Sequence, residues 1–228
     1  MAPAERYEIL VNFSDGRAVD LLTSEGPGGS DPGMMMPMMR PRVPAGGTEV
    51  FMRFQPDPTL KADVTQLPRE FAELSPPDIK SAVKWRTFEL NPMRGMGPMG
   101  GPGSGIRKEV NHDQAGGSAH TMTINDRSFA MDRIDVTAQL GTAEIWEIVS
   151  TAMAHPFHVH GARFRILSNN GTKPSPQASG WKDVVLVEHR AELLVRFDNL
   201  APPEMPFMYH CHILEHEDQG MMGQFAVI

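Results

Sequence analysis

The stretch YHCHILEHEDQGMM, residues 209–222, contains the only cysteine of the chain, Cys211, with a histidine on each side. His216 and Met221 follow within the same stretch. A single cysteine excludes an internal disulfide, so Cys211 is a buried free thiol, a reactive thiol or a metal ligand. The neighbouring histidines favour the metal ligand, because thiolate and imidazole together bind soft and borderline metal ions.

A second histidine-rich stretch, HPFHVHG, spans residues 155–161. The two stretches together hold six of the nine histidines, namely His155, His158, His160, His210, His212 and His216. Side chains alternate between the two faces of a strand, so His158 and His160 share one face and His155 tends to the other. The same alternation separates Cys211 from the histidines that flank it. One strand pair is therefore predicted to present two metal centres back to back.

The ligand types indicate the metal of the first centre. His155 and Cys211, with His216 and Met221 from the loop after Cys211, supply two imidazoles, a thiolate and a thioether. A trigonal set of this kind with a long, weak thioether bond is the type 1, or blue, copper site, which transfers single electrons. Zinc is the main competing metal. A closed zinc site takes four strong ligands, however, and gives no reason for Met221 or for the neighbouring imidazoles.

Composition and turn signals predict an all-β chain. Glycine and proline contribute 41 (21 + 20) of the 228 residues, which favours short strands joined by turns over long helices. Apolar and alternating stretches predict strands at residues 83–90, 120–124, 143–150, 156–160, 163–168, 183–187, 192–197, 207–212 and 223–228. Many short strands at this spacing indicate a sandwich or a barrel.

The N-terminal third has a different pattern. Strands are predicted only at residues 5–13, 18–22 and 49–54. A Gly- and Pro-rich loop occupies residues 26–47, and three strands with such a loop make a poor sandwich by themselves. A proline-rich connection precedes residue 78. We therefore place a domain boundary there, with part of one domain at residues 1–77 and a complete domain at residues 78–228.

Charge and hydropathy argue against two classes of partner. The net charge is −7 and no basic cluster is present, which argues against nucleic acid. No segment approaches the ~20 apolar residues that span a bilayer, so no membrane span is expected. The first residues contain neither a basic region nor an apolar core typical of an export signal.

HPFHVHG and YHCHILEHEDQGMM resemble the third-domain copper signatures of multicopper oxidases, especially the bacterial laccase-like cuprous oxidases of copper tolerance. Further similar stretches are ERYEILVNFSDG (5–16), WRTFELNPM (85–93) and INDRSFAMD (124–132), so the resemblance covers essentially the whole chain. It implies a cupredoxin-like Greek-key sandwich or barrel. Residues 1–77 would be the C-terminal part of the second cupredoxin domain plus a linker, and residues 78–228 the third domain.

The resemblance also implies a role for each ligand. The type 1 ligands would be His155, Cys211 and His216 with axial Met221, the type 2 ligand His158, and the type 3 ligands His160, His210 and His212. Electrons from Cu(I) or a small phenolic donor would pass through Cys211 and its flanking histidines, His210 and His212, to a trinuclear copper cluster that reduces dioxygen to water. The family further implies a periplasmic or otherwise exported protein.

The chain departs from the family pattern in its histidine count. A trinuclear cluster of this kind takes eight histidines, and only four are present here, with no third His-x-His motif in the sequence. The other four are expected from a first cupredoxin domain, so the sequence resembles the C-terminal portion of a longer polypeptide. The alternative is a type 1 electron-transfer or copper-sequestering module without oxidase activity of its own.

Methionine-rich segments are a further feature of the sequence. Eight of the 17 methionines lie in two Gly- and Pro-rich segments, residues 34–39 and 93–99. They are either loops with adaptable apolar side chains or a means of capturing Cu(I) near the type 1 site, with Met153 as a similar candidate. Acidic residues accompany such methionines in the cuprous oxidase branch, whereas Asn91 and Thr151 occupy the comparable positions here.

Overall fold

The computed structural model describes residues 2–24, 48–60, 74–94, 121–151 and 153–228. The chain divides into two compact units, one of residues 6–73 and one of residues 74–228 together with the first few residues. The predicted domain boundary near residue 78 remains a prediction, because a compact unit is not by itself a domain of known ancestry.

The smaller unit contains one described pair of strands. β1 (Val19–Ser24) pairs antiparallel with β2 (Thr48–Phe54), as the sequence predicted for residues 18–22 and 49–54. The strand predicted at residues 5–13 was wrong, because these residues form no strand and Leu10 is 71% exposed. Alternating apolar residues supply only a propensity, and a strand forms where a neighbouring edge accepts its hydrogen bonds.

In its described residues, the larger unit contains ten strands and a few short helical turns. The strands are β3 (Ala82–Arg94), β4 (Thr121–Ile124), β5 (Val136–Ala138), β6 (Ala143–Ser150), β7 (His155–Val159), β8 (Arg163–Asn169), β9 (Val184–Val187), β10 (Arg190–Arg196), β11 (Phe207–Cys211) and β12 (Met222–Val227). The helical turns are two 3-10 turns, Ile79–Ser81 and Pro176–Ala178, and the α-helix α1, Leu214–Asp218. Within the described ranges, no helix has the length and apolar character needed to cross a membrane.

These strands form two five-stranded sheets that enclose the hydrophobic core. One sheet has the order β4-β3-β6-β10-β8 and the other β5-β12-β11-β7-β9. The pairs β3–β6 and β12–β5 are parallel, and the remaining neighbours are antiparallel. Both sheets contribute aromatic side chains to the core, and the rings of Phe88 and Trp146 have their centroids 4.6 Å apart. Burial of such rings is the main stabilising contribution to a sandwich.

Each strand predicted in this unit corresponds to an observed strand, although the ends differ by a few residues. Four elements of the described residues escaped prediction, namely the two 3-10 turns, β5 and α1. β5 has only three residues, too few for an alternating pattern, and it forms because β12 offers it a parallel edge. α1 is a single turn of five residues, shorter than any periodic apolar pattern would reveal.

Candidate metal centres

The paired strands β7 and β11 position both groups of candidate ligands. In their antiparallel register, His210 lies opposite His158, and Cys211 lies opposite Phe157. Phe157 and Cys211 belong to the core between the sheets, whereas the two histidines point to the other face. The predicted division of the ligands between two faces of one strand pair is therefore observed.

The first group consists of His155, Cys211 and His216, and all three side chains are buried. The His155 Nδ1 atom lies 3.3 Å from Cys211 Sγ and 3.2 Å from His216 Nδ1, and the remaining side of this triangle measures 3.5 Å. A point equidistant from the three atoms lies roughly 1.9 Å from each, close to the ~2.0 to 2.3 Å typical of metal bonds to imidazole and thiolate. The group therefore fits a metal ion after a slight expansion.

The loop that follows β11 brings His216 and Met221 to this group. His216 lies on α1, and the Met221 N–H donates to the His216 carbonyl oxygen at 2.9 Å. The Cys211 N–H donates in turn to the Met221 carbonyl oxygen at 3.1 Å. Between them, Gly220 adopts a φ of +97°, which disfavours a side chain at that position. The Met221 side chain is fully buried, as a weak axial ligand at this site would be.

Burial dominates the electrostatics of the first group. It raises the pKa of the Cys211 thiol to about 12 and, with the nearby His216, lowers the pKa of His155 to about 4. Burial also lowers the pKa of His216. Without a metal ion, the imidazoles are therefore neutral at pH 7 and ready to bind, whereas the thiol must lose its proton to a metal ion.

The second group consists of His158, His160 and His210, whose ligand atoms all lie within 4.8 Å of one another. The Nε2 atoms of His160 and His210 are 2.9 Å apart. His158 uses Nδ1 to donate to the Asp183 carbonyl oxygen at 2.9 Å, and His210 uses Nδ1 to donate to the Cys211 carbonyl oxygen at 3.0 Å. Such bonds fix the ring orientation and leave each Nε2 free for a metal ion.

His212, the remaining predicted ligand on this face, lies beside the second group rather than within it. Its ring centroid is 5.3 Å from that of His210 and 5.7 Å from that of His158. The four imidazoles influence one another electrostatically: burial, followed by repulsion from the three neighbouring histidines, lowers the pKa of His160 to about 4. His160 is therefore neutral at neutral pH and available to bind a metal ion.

Two outer contacts of the second group were not identified from the sequence. The Glu217 carboxylate lies 3.3 Å from His210 Nδ1, and the Asp183 backbone holds His158. Glu217 directly follows the predicted ligand His216, so its position in the sequence could have indicated a contact near the site. The Asp183 contact is made by a carbonyl oxygen, which any residue type supplies, so the sequence held no sign of it.

The methionine-rich segments lie largely outside the described residues. Residues 34–39, 96 and 99 lie outside the described residues, as does the side chain of Met93. Met153 is described and partly buried, and its carbonyl oxygen accepts a hydrogen bond from the Ser150 hydroxyl. Asn91 Oδ1 and Thr151 Oγ1 lie 3.5 Å apart, so the two residues at the comparable positions are neighbours.

Comparison with protein families places this arrangement in a known group. Residues 106–228 match the multicopper oxidase family. The chain belongs to that family. Membership implies copper as the metal for which the two groups of ligands are suited.

The relatives that match this chain have names that refer to two different functions. Cell division protein FtsP of Xenorhabdus nematophila is 31% identical over an alignment that covers 100% of this chain and 41% of that protein. Multicopper oxidase mco of Staphylococcus aureus is 44% identical over 118 residues, 49% of this chain and 26% of that protein. The chain thus spans less than half the length of these relatives.

Among solved structures, the laccase-like multicopper oxidase CueO from Ochrobactrum sp. superimposes with a TM-score of 0.71. It is 38% identical over 95% of this chain and 43% of that chain. This likeness and the two-sheet architecture confirm the all-β, cupredoxin-like sandwich predicted from the sequence.

Proposed function

We propose that this chain is the part of a copper-dependent oxidase that carries a complete type 1 copper site and half of a trinuclear site. The observation that supports it is the placement of two separate metal-ligand groups on opposite faces of the β7–β11 pair. One residue step along β11 leads from Cys211 in the first group to His210 in the second. A relay between two metal centres needs such a short covalent connection.

In this proposal, each ligand has a distinct position. His155, Cys211 and His216 hold the type 1 copper with Met221 as the axial ligand, His158 serves the type 2 site, and His160, His210 and His212 serve the type 3 pair. Bound copper supplies one-electron redox chemistry at the first group and reduction of dioxygen at the second. The buried first group excludes water from the thiolate, which protects it from oxidation.

Cys211 serves as both ligand and conduit. Its backbone connects directly to His210 and His212, and the His210 Nδ1–H bond to the Cys211 carbonyl oxygen adds a second link between the two groups. Because this bond also orients the His210 ring, the same contact prepares a ligand of the second group. Cys211 therefore acts without forming a covalent intermediate with a substrate.

The overall reaction we propose takes four electrons from four one-electron donors and, with four protons, reduces one dioxygen to two water molecules. The donors are Cu(I) or small phenols. The Ochrobactrum enzyme is described as active towards lignin model compounds and lignosulfonate, which supports the phenolic class. The remaining four histidines would come from a first cupredoxin domain, with residues 1–77 belonging to the second domain and residues 78–228 forming the third. We place the protein in the periplasm or otherwise outside the cytoplasm.

Copper loading combined with dioxygen consumption tests the proposal. The chain alone is expected to develop the intense thiolate-to-copper absorption of a type 1 site but to show no four-electron reduction of dioxygen. A polypeptide that also carries a first cupredoxin domain is expected to consume dioxygen with either donor. Robust oxidase activity of the chain alone would contradict the half-site, and absence of the absorption band would contradict the type 1 assignment.

A second candidate function is a copper-binding role without oxidase chemistry, either electron transfer or copper sequestration. The match to the cell division protein FtsP favours it, because that match covers the whole chain whereas the match to the staphylococcal oxidase covers about half. Under this candidate, the longer polypeptide binds copper at the first group but does not consume dioxygen. A deletion that disturbs cell division and leaves copper tolerance unchanged would favour it over the oxidase.

A further inference from the structure

His155 differs from the other candidate ligands in the surroundings of its far ring nitrogen. Its side chain is fully buried, and Nδ1 faces Cys211 Sγ and His216 Nδ1. Nε2 is also buried, and no described residue offers it a hydrogen bond. If Nδ1 binds a metal ion, Nε2 must carry the proton, so the ring places an unpaired N–H donor inside the core.

The second group shows the opposite arrangement. His158 and His210 each donate the N–H that faces away from the group to a backbone carbonyl oxygen, at 2.9 and 3.0 Å. An acceptor on the far nitrogen increases the electron density on the metal-binding nitrogen and makes it a stronger ligand. His155 lacks this reinforcement among the described residues.

The strand register places an apolar residue opposite His155. On the sheet, His155 pairs directly with Val187 of β9, whose side chain is fully buried and apolar. An apolar neighbour can exclude water from the ring but cannot accept its proton.

We propose that the unpartnered Nε2–H of His155 biases the first group toward the monovalent ion, so that it binds Cu(I) in preference to Cu(II) and has a raised reduction potential. This inference rests on the proposed function. A weaker imidazole donor stabilises Cu(II) less than Cu(I), because the divalent ion depends more on ligand basicity. Burial acts in the same direction: Cu(I) and the Cys211 thiolate together are neutral, whereas Cu(II) leaves a net positive charge in the core.

Val187→Thr tests the inference, because it places a hydroxyl oxygen that can accept a hydrogen bond on the residue that pairs with His155 in the sheet. The matched control is Val185→Thr. Val185 lies on the same strand and is equally part of the core, but it pairs with Phe157 instead of His155. Both variants bury a hydroxyl, so any general loss of stability is shared.

The measurement is a redox titration of the copper-loaded chain followed by the thiolate-to-copper absorption. Val187→Thr is expected to lower the preference for Cu(I) over Cu(II) about tenfold, which is a fall of about 59 mV in potential, whereas Val185→Thr leaves it unchanged. A potential that stays the same or rises in Val187→Thr overturns the inference.

Proton NMR of the Cu(I)-loaded wild-type chain supplies a test that needs no variant. The Nε2–H signal of His155 is expected away from the downfield region of hydrogen-bonded imidazoles, and a downfield signal overturns the inference. If the absorption band never forms, the proposed function and the inference both fail. If the band forms and the potential does not respond, only the inference fails.

Discussion

The two metal-ligand groups share the strands β7 and β11 but differ in their contact with water. His155, Cys211 and His216 are all buried, whereas His158 is partly buried and His160 is exposed. The first group offers Nδ1 and sulfur atoms, and in the second His158 and His210 have Nδ1 engaged, which leaves Nε2. Cys211 and His210 are therefore neighbours on β11 that belong to groups of different ligand chemistry, and the second group reaches solvent through His160.

The difference in burial shows how one strand pair can hold two groups of metal ligands with different access to solvent. A buried thiolate site needs no open coordination position, because it only gains and loses electrons. In the proposed function the second group admits dioxygen, and His160 of that group is exposed. Variants that affect one group and leave the other intact provide the most direct test of this separation.

The largest expected effect comes from Cys211→Ser. The thiolate-to-copper absorption should disappear completely, because serine supplies no soft sulfur ligand. Copper binding by the second group should persist. Absorption spectra and copper counts on the loaded variant check both expectations.

His160→Gln is the matched control for Cys211→Ser, since it removes a ligand from the second group and should retain the absorption band. Survival of the absorption band in Cys211→Ser would contradict the separate roles of the two groups, because the band would then not depend on Cys211.

His158→Gln should weaken metal binding at the second group by more than about 100-fold. Loss of an outer contact costs at most about that much, and His158 is a direct ligand in the proposed function. The first group should keep its absorption band, because His158 points away from it. Calorimetric titration of the Cys211→Ser background with Cu(II) isolates the second group. His189→Gln, an exposed histidine outside both groups, should leave the affinity unchanged.

Acid should destabilise the metal-free chain through the first group. The pKa of His155 is about 4 in the folded protein against 6.5 in the unfolded chain, so between these values only the unfolded state takes up the proton. The contribution of His155 to the free energy of unfolding is therefore fully present above about pH 6.5. It falls by about 3 kcal/mol as the pH drops to about 4. Urea unfolding at several pH values measures this loss.

Two variants separate this effect from the titration of other groups. His155→Leu should lose less stability over the same pH interval, because the buried base is gone, and His189→Gln should lose as much as the wild type. An equal loss in His155→Leu and wild type would show that burial of the first group is not the cause.

The smallest effect is expected from Met221→Leu. Leucine preserves the apolar volume of this fully buried side chain, so the fold should tolerate the change at a cost below about 1.5 kcal/mol. The absorption band should remain, while the reduction potential rises because a weak donor to Cu(II) has been removed. An unchanged potential would show that the thioether does not contact the copper.

Much of the core of the larger unit was predictable because its strands are short apolar or alternating stretches bounded by turn residues. β6 coincides with its predicted range, and the division of ligands on β7 and β11 follows from strand parity alone. The strand predicted at residues 5–13 does not form, because a strand also needs a neighbouring edge to pair with. Its apolar run, Ile9 to Val11, favours a strand, but no described strand pairs with it, and a pattern cannot show whether a partner edge exists.

The sequence by itself determined which residue types are available and how they alternate: one cysteine between two histidines, a second histidine-rich strand, and a methionine at the end of the following loop. Tertiary structure decided how close these atoms come and how deeply they are buried. Only the pairing of β7 with β11 places His155 Nδ1 3.3 Å from Cys211 Sγ, and its Nε2 is buried without a hydrogen-bond partner among the described residues. The physical reason is that ligand identity is a local property, whereas distance, burial and outer hydrogen bonds depend on residues far apart in the chain.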